Sequence, residues 1–502
     1  VTHILRPHQQ EAVSAITSAP KGIINLPTGT GKTLIQAESI VNDICTAKAP
    51  GVYVIASPRI LLSNQLLESV RERLIEHRID CQYLCVRSGQ TPDFGENELL
   101  VYRELTATTS SKDIGVTYEK AQREGVPLVI SAVYDSLQRI VQSNIPVTVI
   151  HCDEAHFLVR PEFNWIPTDF PSTRKYFYTA TLRVTKSEEG LGMNNKDRFG
   201  PVLYQKFPLE MVEAGEIVRP RMHIVHTSVP VTDGDSVDPK AIVESFLEHR
   251  SLLRIGAKML IVTKGSEHLD KLVKSAEIQR LRRQRPNLTI FDISSKYEPR
   301  INGDVVNRNV FLSRLRNLKD YDEALILHID ILTEGIDVPG ITGVMIMNDL
   351  GPAKFLQTLG RATRLYPGDR VRLYKSEMVP SDLDEFVKPY AWVIVPSYGE
   401  IGDDLRATIV EMVVNLRTFG FIPSEDVVTK LSRGSQLPEQ IGLINQKDKR
   451  AATLVEFFDD IKHEIESAEN ADRIIRDIAE LSTLKVALSP VDSFIDLTLG
   501  KR

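Results

Sequence analysis

The stretch Leu26-Pro27-Thr28-Gly29-Thr30-Gly31-Lys32-Thr33 decides how the rest of the chain is read. Residues 21–26 ahead of it form the short apolar run of a buried strand, and residues 33–46 behind it carry apolar side chains at helical spacing. Strand, glycine-rich turn and helix in that order are the setting a phosphate-binding loop requires. Gly29 and Gly31 let the backbone wrap closely round a polyphosphate. Backbone N–H groups from Thr28 to Thr33, with the N-terminus of the following helix, supply partial positive charge. Lys32 is placed to reach the β- and γ-phosphates of ATP, and Thr33 can ligate Mg²⁺. The general pattern opens on glycine, where this chain has Leu26.

Outward from the loop, β-branched runs alternate with helical patterns. Residues 52–57, 128–131, 147–152 and 176–179 read as buried strands, with helices over 33–46 and 60–77. The rhythm restarts after residue 250, with strands over 258–263, 324–328, 343–347 and 391–396. Such alternation predicts parallel sheets covered on both faces, here as two α/β units in tandem. The polar run VPVTDGDSVD at 229–238 reads as a surface connection. Residues 88–127 are too long for a simple link and read as an insertion or mobile loop. Residues 400–502 read as a helical accessory region, from the spacing of Leu454, Phe457, Phe458, Ile461 and Ile465. Its acidic stretch 456–480 reads as a solvated helix face, with a protein-binding surface as the alternative.

At 502 residues, roughly three domains are expected. The 42% hydrophobic and 25% charged content exclude wholesale disorder. A net charge of −6 excludes binding to nucleic acid by bulk basicity and leaves room for a local basic groove. No apolar run approaches the ~18–20 residues that span a bilayer, and no secretory leader is seen, so a cytoplasmic protein with no membrane partner is expected. The chain starts at Val1, from which an initiator Met is expected to have been removed or trimmed. Cys45, Cys81, Cys85 and Cys152 lack the spacing of a zinc or redox motif and are expected to be reduced thiols.

A second chemical signal is Asp153-Glu154-Ala155-His156, at the end of the strand over 147–152. Ligand chemistry in open α/β sheets gathers at such ends. Asp153 can hold Mg²⁺ through water, and Glu154 can orient and deprotonate an attacking water. Gln357, Gly360, Arg361 and Arg364 recur at three and four residues, on one face of a helix. That face could neutralise charge on a transferring phosphoryl group.

Taken in order, these motifs resemble those of superfamily 2 helicases of the DEAH-box type. The likeness is nearest in style to compact phage or bacterial DNA remodelling helicases and restriction-type motors, and covers residues 3–400. Leu5-Arg6-Pro-His-Gln9-Gln-Glu-Ala12 looks like the family's adenine-reading segment, with Arg6 and Gln9 as nucleotide contacts. Ser57-Pro58-Arg59 is similar to motif Ia, and SAVYDSL from Ser131 to a further nucleic-acid contact. Thr179-Ala-Thr181 is similar to motif III, which couples the site to movement. Thr263 and Lys264 end the segment similar to motif IV. LTEGIDVP at 332–339 resembles motif V, contributing Thr333 to nucleic acid and Gly335 and Asp337 to the nucleotide. QTLGRATR at 357–364 resembles motif VI.

The resemblance implies an α/β fold of two tandem RecA-like P-loop domains with a helical C-terminal region. The domains are expected at 1–218, 219–399 and 400–502, with ATP and Mg²⁺ as cofactors bound between the first two. It implies Glu154, Lys32, Arg361, Arg364, Gln357 and His156 as the catalytic group, His156 coupling the site to motif VI. Pro58, Arg59, Ser131, Thr263, Lys264 and Thr333 are expected at or beyond strand ends, as a sequence-blind track for nucleic acid. The expected activity is that of a monomeric ATP-dependent DNA helicase or duplex translocase acting on single-stranded, duplex or branched DNA in replication, recombination or repair. An RNA helicase, the motor of a restriction or defence complex with a separate nuclease, and an ATP-gated scaffold are the alternatives. Arg280, Arg282, Arg283 and Arg285 read as a solvated helix end or a second duplex contact. Tyr102, Arg103 and residues 106–111 read as a surface excursion or a junction-sensing loop.

Overall fold

A computed structural model of the chain describes residues 5–88, 105–185, 190–227, 239–294, 296–329, 338, 340–347, 352–398 and 427–431. The chain divides after Phe207 into two compact units, eleven residues before the boundary expected at 218.

The first unit is built on β1 (Lys21–Asn25), β2 (Val52–Ser57), β3 (Gln82–Val86), β4 (Thr106–Thr108), β5 (Leu128–Val133), β6 (Val147–Cys152), β7 (Ser172–Thr179) and β8 (Val202–Gln205). They form one sheet in the order β4-β3-β5-β2-β6-β7-β1-β8, and every neighbouring pair is parallel. Alternation along each strand explains the continuous apolar runs. Val52, Val54 and Ala56 of β2 enter one core, while Tyr53 and Ile55 enter the other. Helices α1 (Pro7–Ile16), α2 (Lys32–Thr46) and α3 (Ile60–Glu76) lay helical stripes such as Leu66, Leu67, Val70 and Leu74 on the second core.

The region expected to be an irregular insertion is part of this framework over its described half. Thr106–Thr108 is the edge strand, and α4 (Ser111–Glu124) follows, its N-terminus capped by the Ser110 hydroxyl accepting from the Asp113 N–H. Thr108 Oγ1 also donates to Asp113 at 2.8 Å. The hydroxyl-rich character of 106–111 therefore reflects a strand end and a cap. Tyr102 and Arg103 lie outside the described residues.

The second unit carries β9 (Arg219–Thr227), β10 (Lys258–Val262), β11 (Leu288–Ile293), β12 (Arg300–Ile301), β13 (Asp304–Val305), β14 (Glu323–His328), β15 (Gly343–Ile346), β16 (Tyr390–Tyr398) and β17 (Val427–Leu431). Its order is β13-β12-β11-β14-β10-β15-β16-β9-β17, parallel except at the β11-β12-β13 edge. Residues 400–502 are expected to form a helical accessory region. Instead Val427–Leu431 is a strand, paired in parallel with β9. The other residues of that region and the connection at 229–238 lie outside the described residues.

Candidate nucleotide and nucleic-acid sites

Strands β6, β7 and β1 are neighbours, so residues just beyond their C-terminal ends lie side by side. β1 leads into the glycine-rich loop, β6 into Asp153 and Glu154, and β7 ends at Thr179. The Leu26 N–H donates to the Thr179 carbonyl at 3.0 Å, tying the start of the loop to β7.

The loop needs its glycines. Gly29 and Gly31 have φ of 89° and 87°, in the left-handed region that a side chain disfavours. A Cβ on Gly31 would also lie 2.2 Å from Gln9 Nε2 and 2.7 Å from Arg6 Nη2. Both side chains close onto the loop. Arg6 Nη2, His8 Nε2 and Gln9 Nε2 meet the Thr30 carbonyl at 2.7, 2.8 and 3.2 Å. Gln9 Oε1 accepts from the Arg6 N–H at 2.9 Å, so both ends of this buried amide are bonded within the protein. Lys32 is buried, and its Nζ donates to the Leu26 and Pro27 carbonyls at 3.0 and 3.3 Å. Thr30 Oγ1 donates to the Pro27 carbonyl at 2.7 Å, whereas the buried Thr28 Oγ1 has no partner.

Gln36 lies one turn beyond Lys32 on α2, and its Nε2 donates to Asp153 Oδ1 at 3.0 Å. Desolvation raises the Asp153 carboxyl well above the usual range. Glu154 adds to the shift, while Lys32 and Gln36 oppose it. The Tyr134 hydroxyl donates to the Asp153 carbonyl. Glu154 has φ of 49°, a conformation costly for a residue with a Cβ. Strain of this kind collects where a site demands one geometry. Glu154 Oε2 lies 3.3 Å from His156 Nδ1, which is 3.2 Å from Thr179 Oγ1. Thr179 Oγ1 donates to the Thr181 carbonyl at 2.8 Å and accepts from the Thr181 N–H at 3.1 Å. His156, expected to serve the 357–364 motif, is thus joined to the 179–181 motif within its own unit.

The chemistry fits a magnesium nucleotide. The loop offers a lysine and two left-handed glycines, and the orphaned Thr28 hydroxyl adds a polar group. Thr33 and Asp153 supply one hydroxyl and one carboxylate, and Mg²⁺ characteristically completes such a pair with phosphate oxygens and water. No cluster of three or more His, Cys, Asp or Glu residues suited to a metal occurs among the described residues. Among those residues the four cysteines are free thiols, and no helix is long and apolar enough to cross a membrane.

In the second unit, Arg361 sits on the helix Pro352–Ala362 and is largely buried; Arg364 follows on the next turn and is half-buried. Gln357 belongs to the same helix, with its side chain outside the described residues; Thr333, Gly335 and Asp337 lie outside them altogether.

Ser57 ends β2 and Thr263 follows β10, as expected of the nucleic-acid track, whereas the placement of Ser131 is corrected. Ser131 was placed at a strand end, but β5 continues to Val133. Its side chain is buried, with Oγ 2.6 Å from Ser63 Oγ. Ser57 is likewise buried and donates to the Arg59 carbonyl at 3.0 Å. Thr263 is buried and donates to the His328 carbonyl at 3.2 Å. Each of these hydroxyls is bonded within its own unit. Of the other candidates, Pro58 is half-buried, and Arg59 and Lys264 are exposed. The arginine cluster also divides. Arg285 makes two bonds of 2.5 Å to Glu323, and Arg282 donates to the Asn302 carbonyl at 3.0 Å. Arg280 and Arg283 remain exposed.

Residues 2–184 match the family model described as "Type III restriction enzyme, res subunit". No curated protein matches the chain. Among solved structures, the chain is similar to the ATP-dependent Type ISP restriction-modification enzyme LlaBIII bound to DNA, with a TM-score of 0.61 and 16% identity over 86% of this chain and 31% of that one. It is similar to a nuclease-deletion mutant of the Type ISP enzyme LlaGI in complex with a DNA substrate mimic, with a TM-score of 0.56 and 16% identity over 85% and 30%. A third similar structure is the helicase MrfA bound to DNA, with a TM-score of 0.50 and 14% identity over 83% and 48%. At such identities the likeness is one of fold, and the chain spans about a third of the two restriction enzymes, 31% and 30%. The resemblance to superfamily 2 motors, restriction-type motors among them, and the RecA-like parallel sheets read from the motifs are found again here.

Proposed function

We propose that the chain is an ATP-dependent DNA helicase or double-strand DNA translocase, coupling hydrolysis to movement along DNA. The observation that carries this reading is the continuous wiring of three adjacent strand ends. Lys32 and Gln36 on one helix lead to Asp153, and Glu154 continues through His156 and Thr179 to Thr181. A phosphate loop joined in this way to its acid pair and to a threonine relay can register whether a γ-phosphate is present.

In this reading Lys32 binds the β- and γ-phosphates, Thr28 to Thr33 cradle them, and Thr33 and Asp153 hold Mg²⁺. Bound there, Mg²⁺ supplies positive charge that offsets the phosphates and keeps the Asp153 carboxyl ionised. Glu154 takes the proton from the attacking water, and His156 fixes its carboxylate. Arg361 and Arg364 neutralise charge on the transferred phosphoryl group, a role worth ~10³-fold or more in turnover where it has been isolated. Gln357, Gly335 and Asp337 complete the nucleotide contacts, while Pro58, Arg59, Lys264 and Thr333 touch the nucleic-acid backbone. Thr179 and Thr181 pass the state of the site to those contacts.

DNA is favoured over RNA because three of the similar structures, LlaBIII, LlaGI and MrfA, hold DNA or a DNA mimic. The matched family description favours a second, narrower reading: the motor of a restriction or defence system whose nuclease lies elsewhere. ATP hydrolysis measured with duplex DNA, forked DNA and RNA tests the first reading; stimulation by RNA alone would refute it. Co-purification of a nuclease with the chain would select the second.

A further inference from the structure

The turn that carries the arginines is held by a lysine that no motif contains. The helix Pro352–Ala362 ends beside Arg361, and its last carbonyls have no intrahelical donors. Three successive carbonyls are bonded from outside the helix. Lys388 Nζ donates to the Ala362 and Arg364 carbonyls, each at 2.5 Å, and the Val218 N–H donates to the Thr363 carbonyl at 2.8 Å. Ile217 forms a bridge with Arg364, so the turn is gripped from two distant segments.

Lys388 is 1% exposed, an unusual place for an ammonium. Its backbone is fixed as well. The fully buried Asp369, in the first turn of the helix Pro367–Tyr374, accepts from the Val387 N–H at 2.9 Å and the Lys388 N–H at 3.0 Å. A charge costs several kcal/mol to bury, and a helix end can be satisfied by water or glycine at far lower cost. Stability alone therefore explains this lysine poorly. Desolvation lowers its pKa to about 7, opposed by Asp369 and assisted by Arg364, Arg370 and Lys258. The neutral amine still has two N–H donors for its two carbonyls, so the grip does not depend on the proton.

We propose that Lys388 is a positioning residue for Arg361 and Arg364, holding the backbone of the Ala362–Arg364 turn where both guanidiniums address the phosphoryl group. The inference rests on the reading of those arginines given above. A double-mutant cycle in the full chain tests it, with DNA-stimulated ATP hydrolysis and binding of a non-hydrolysable ATP analogue as readouts. Lys388→Met is expected to lower kcat about tenfold while KM and analogue affinity stay within twofold. In an Arg361→Ala/Arg364→Ala background the same substitution is expected to lower kcat by less than a further twofold, since both positioned groups are gone. A kcat within twofold of wild type, or a full tenfold loss on top of the double-arginine variant, overturns the proposal. If Lys388→Met does not melt cooperatively, Lys388→Gln, which keeps an N–H donor, carries the same cycle. Failure of both variants to fold assigns Lys388 to stability alone and also overturns the proposal. An Arg361→Ala enzyme with unchanged kcat refutes the arginine assignment itself, a distinct result.

Discussion

Replacing Glu154 separates the strain at the site from its chemistry. The residue has φ of 49°, and holding a side chain there costs about 1–2 kcal/mol. Glycine escapes that cost but loses about 0.5–1 kcal/mol through the freedom it gains in the unfolded chain. Glu154→Gly is therefore expected to be about 0.5–1 kcal/mol more stable than Glu154→Ala. Both variants lose the 3.3 Å contact with His156 and the charge that helps raise Asp153, so those effects cancel in the comparison. For a unit of this size the difference corresponds to about 2 °C in melting temperature. The chain has two tryptophans, Trp165 in the first unit and Trp392 in the second. In a Trp392→Phe background, fluorescence thus reports the first unit alone. ATP turnover should fall to the same floor in both variants, because each lacks the proton acceptor. An alanine variant as stable as the glycine variant would refute the strain argument, and turnover surviving in either would refute the role of the carboxylate.

Gly31→Ala combines the same left-handed cost with displacement of Gln9 and Arg6 from the Thr30 carbonyl. Adding ~1 kcal/mol for each of the two disturbed bonds gives about 3–4 kcal/mol against the observed loop; ATPase activity should drop more than tenfold, and wild-type activity would contradict the geometry. Arg59→Ala should weaken DNA binding and reduce its salt dependence, whereas Ser131→Ala should leave binding unchanged because its hydroxyl serves Ser63; binding isotherms at two salt concentrations compare them. Desolvation lowers the pKa values of His151, His249 and His328 to about 3 from 6.5. Below pH 6.5 the unfolded chain takes up protons that the fold refuses, so stability is complete above pH 6.5 and falls as pH drops towards 3. At pH 5 the loss is about 2 kcal/mol per histidine. Melting should be lower at pH 5 than at pH 7, with His249→Gln flattening the dependence; equal melting temperatures would refute it.

Legibility of the sequence followed the range of the interactions involved. The phosphate loop, the acid pair and the strands at 52–57 and 147–152 were readable because their signals are local: apolar runs, glycines and a strand end. The strand Gln82–Val86 and the helix Ser111–Glu124 were passed over. The helix lies in the stretch 88–127 judged by its length, although the Ser110 cap was there to be used, and the strand just before that stretch had the run YLCV as its signal. Ser131 was misplaced because a strand's end depends on its neighbours, and β5 pairs with β2 as far as Val133. Gln36 had a usable signal, a polar residue on the buried stripe one turn from Lys32. His8, Tyr134 and Lys388 had none, since their partners lie 22, 19 and 24–26 residues away. The strand Val427–Leu431 was lost in a region judged by the helical spacing that follows it.

In the proposed function the Lys32 loop and the Asp153–Glu154 pair form an ATP-hydrolysing site that answers to DNA. Steady-state hydrolysis by the wild-type chain and by Lys32→Ala, each with and without duplex DNA, tests it most directly. DNA is expected to accelerate the wild-type enzyme several-fold, and Lys32→Ala to show no hydrolysis above background while still binding DNA. Undiminished hydrolysis by Lys32→Ala, or a wild-type rate indifferent to DNA, would contradict it.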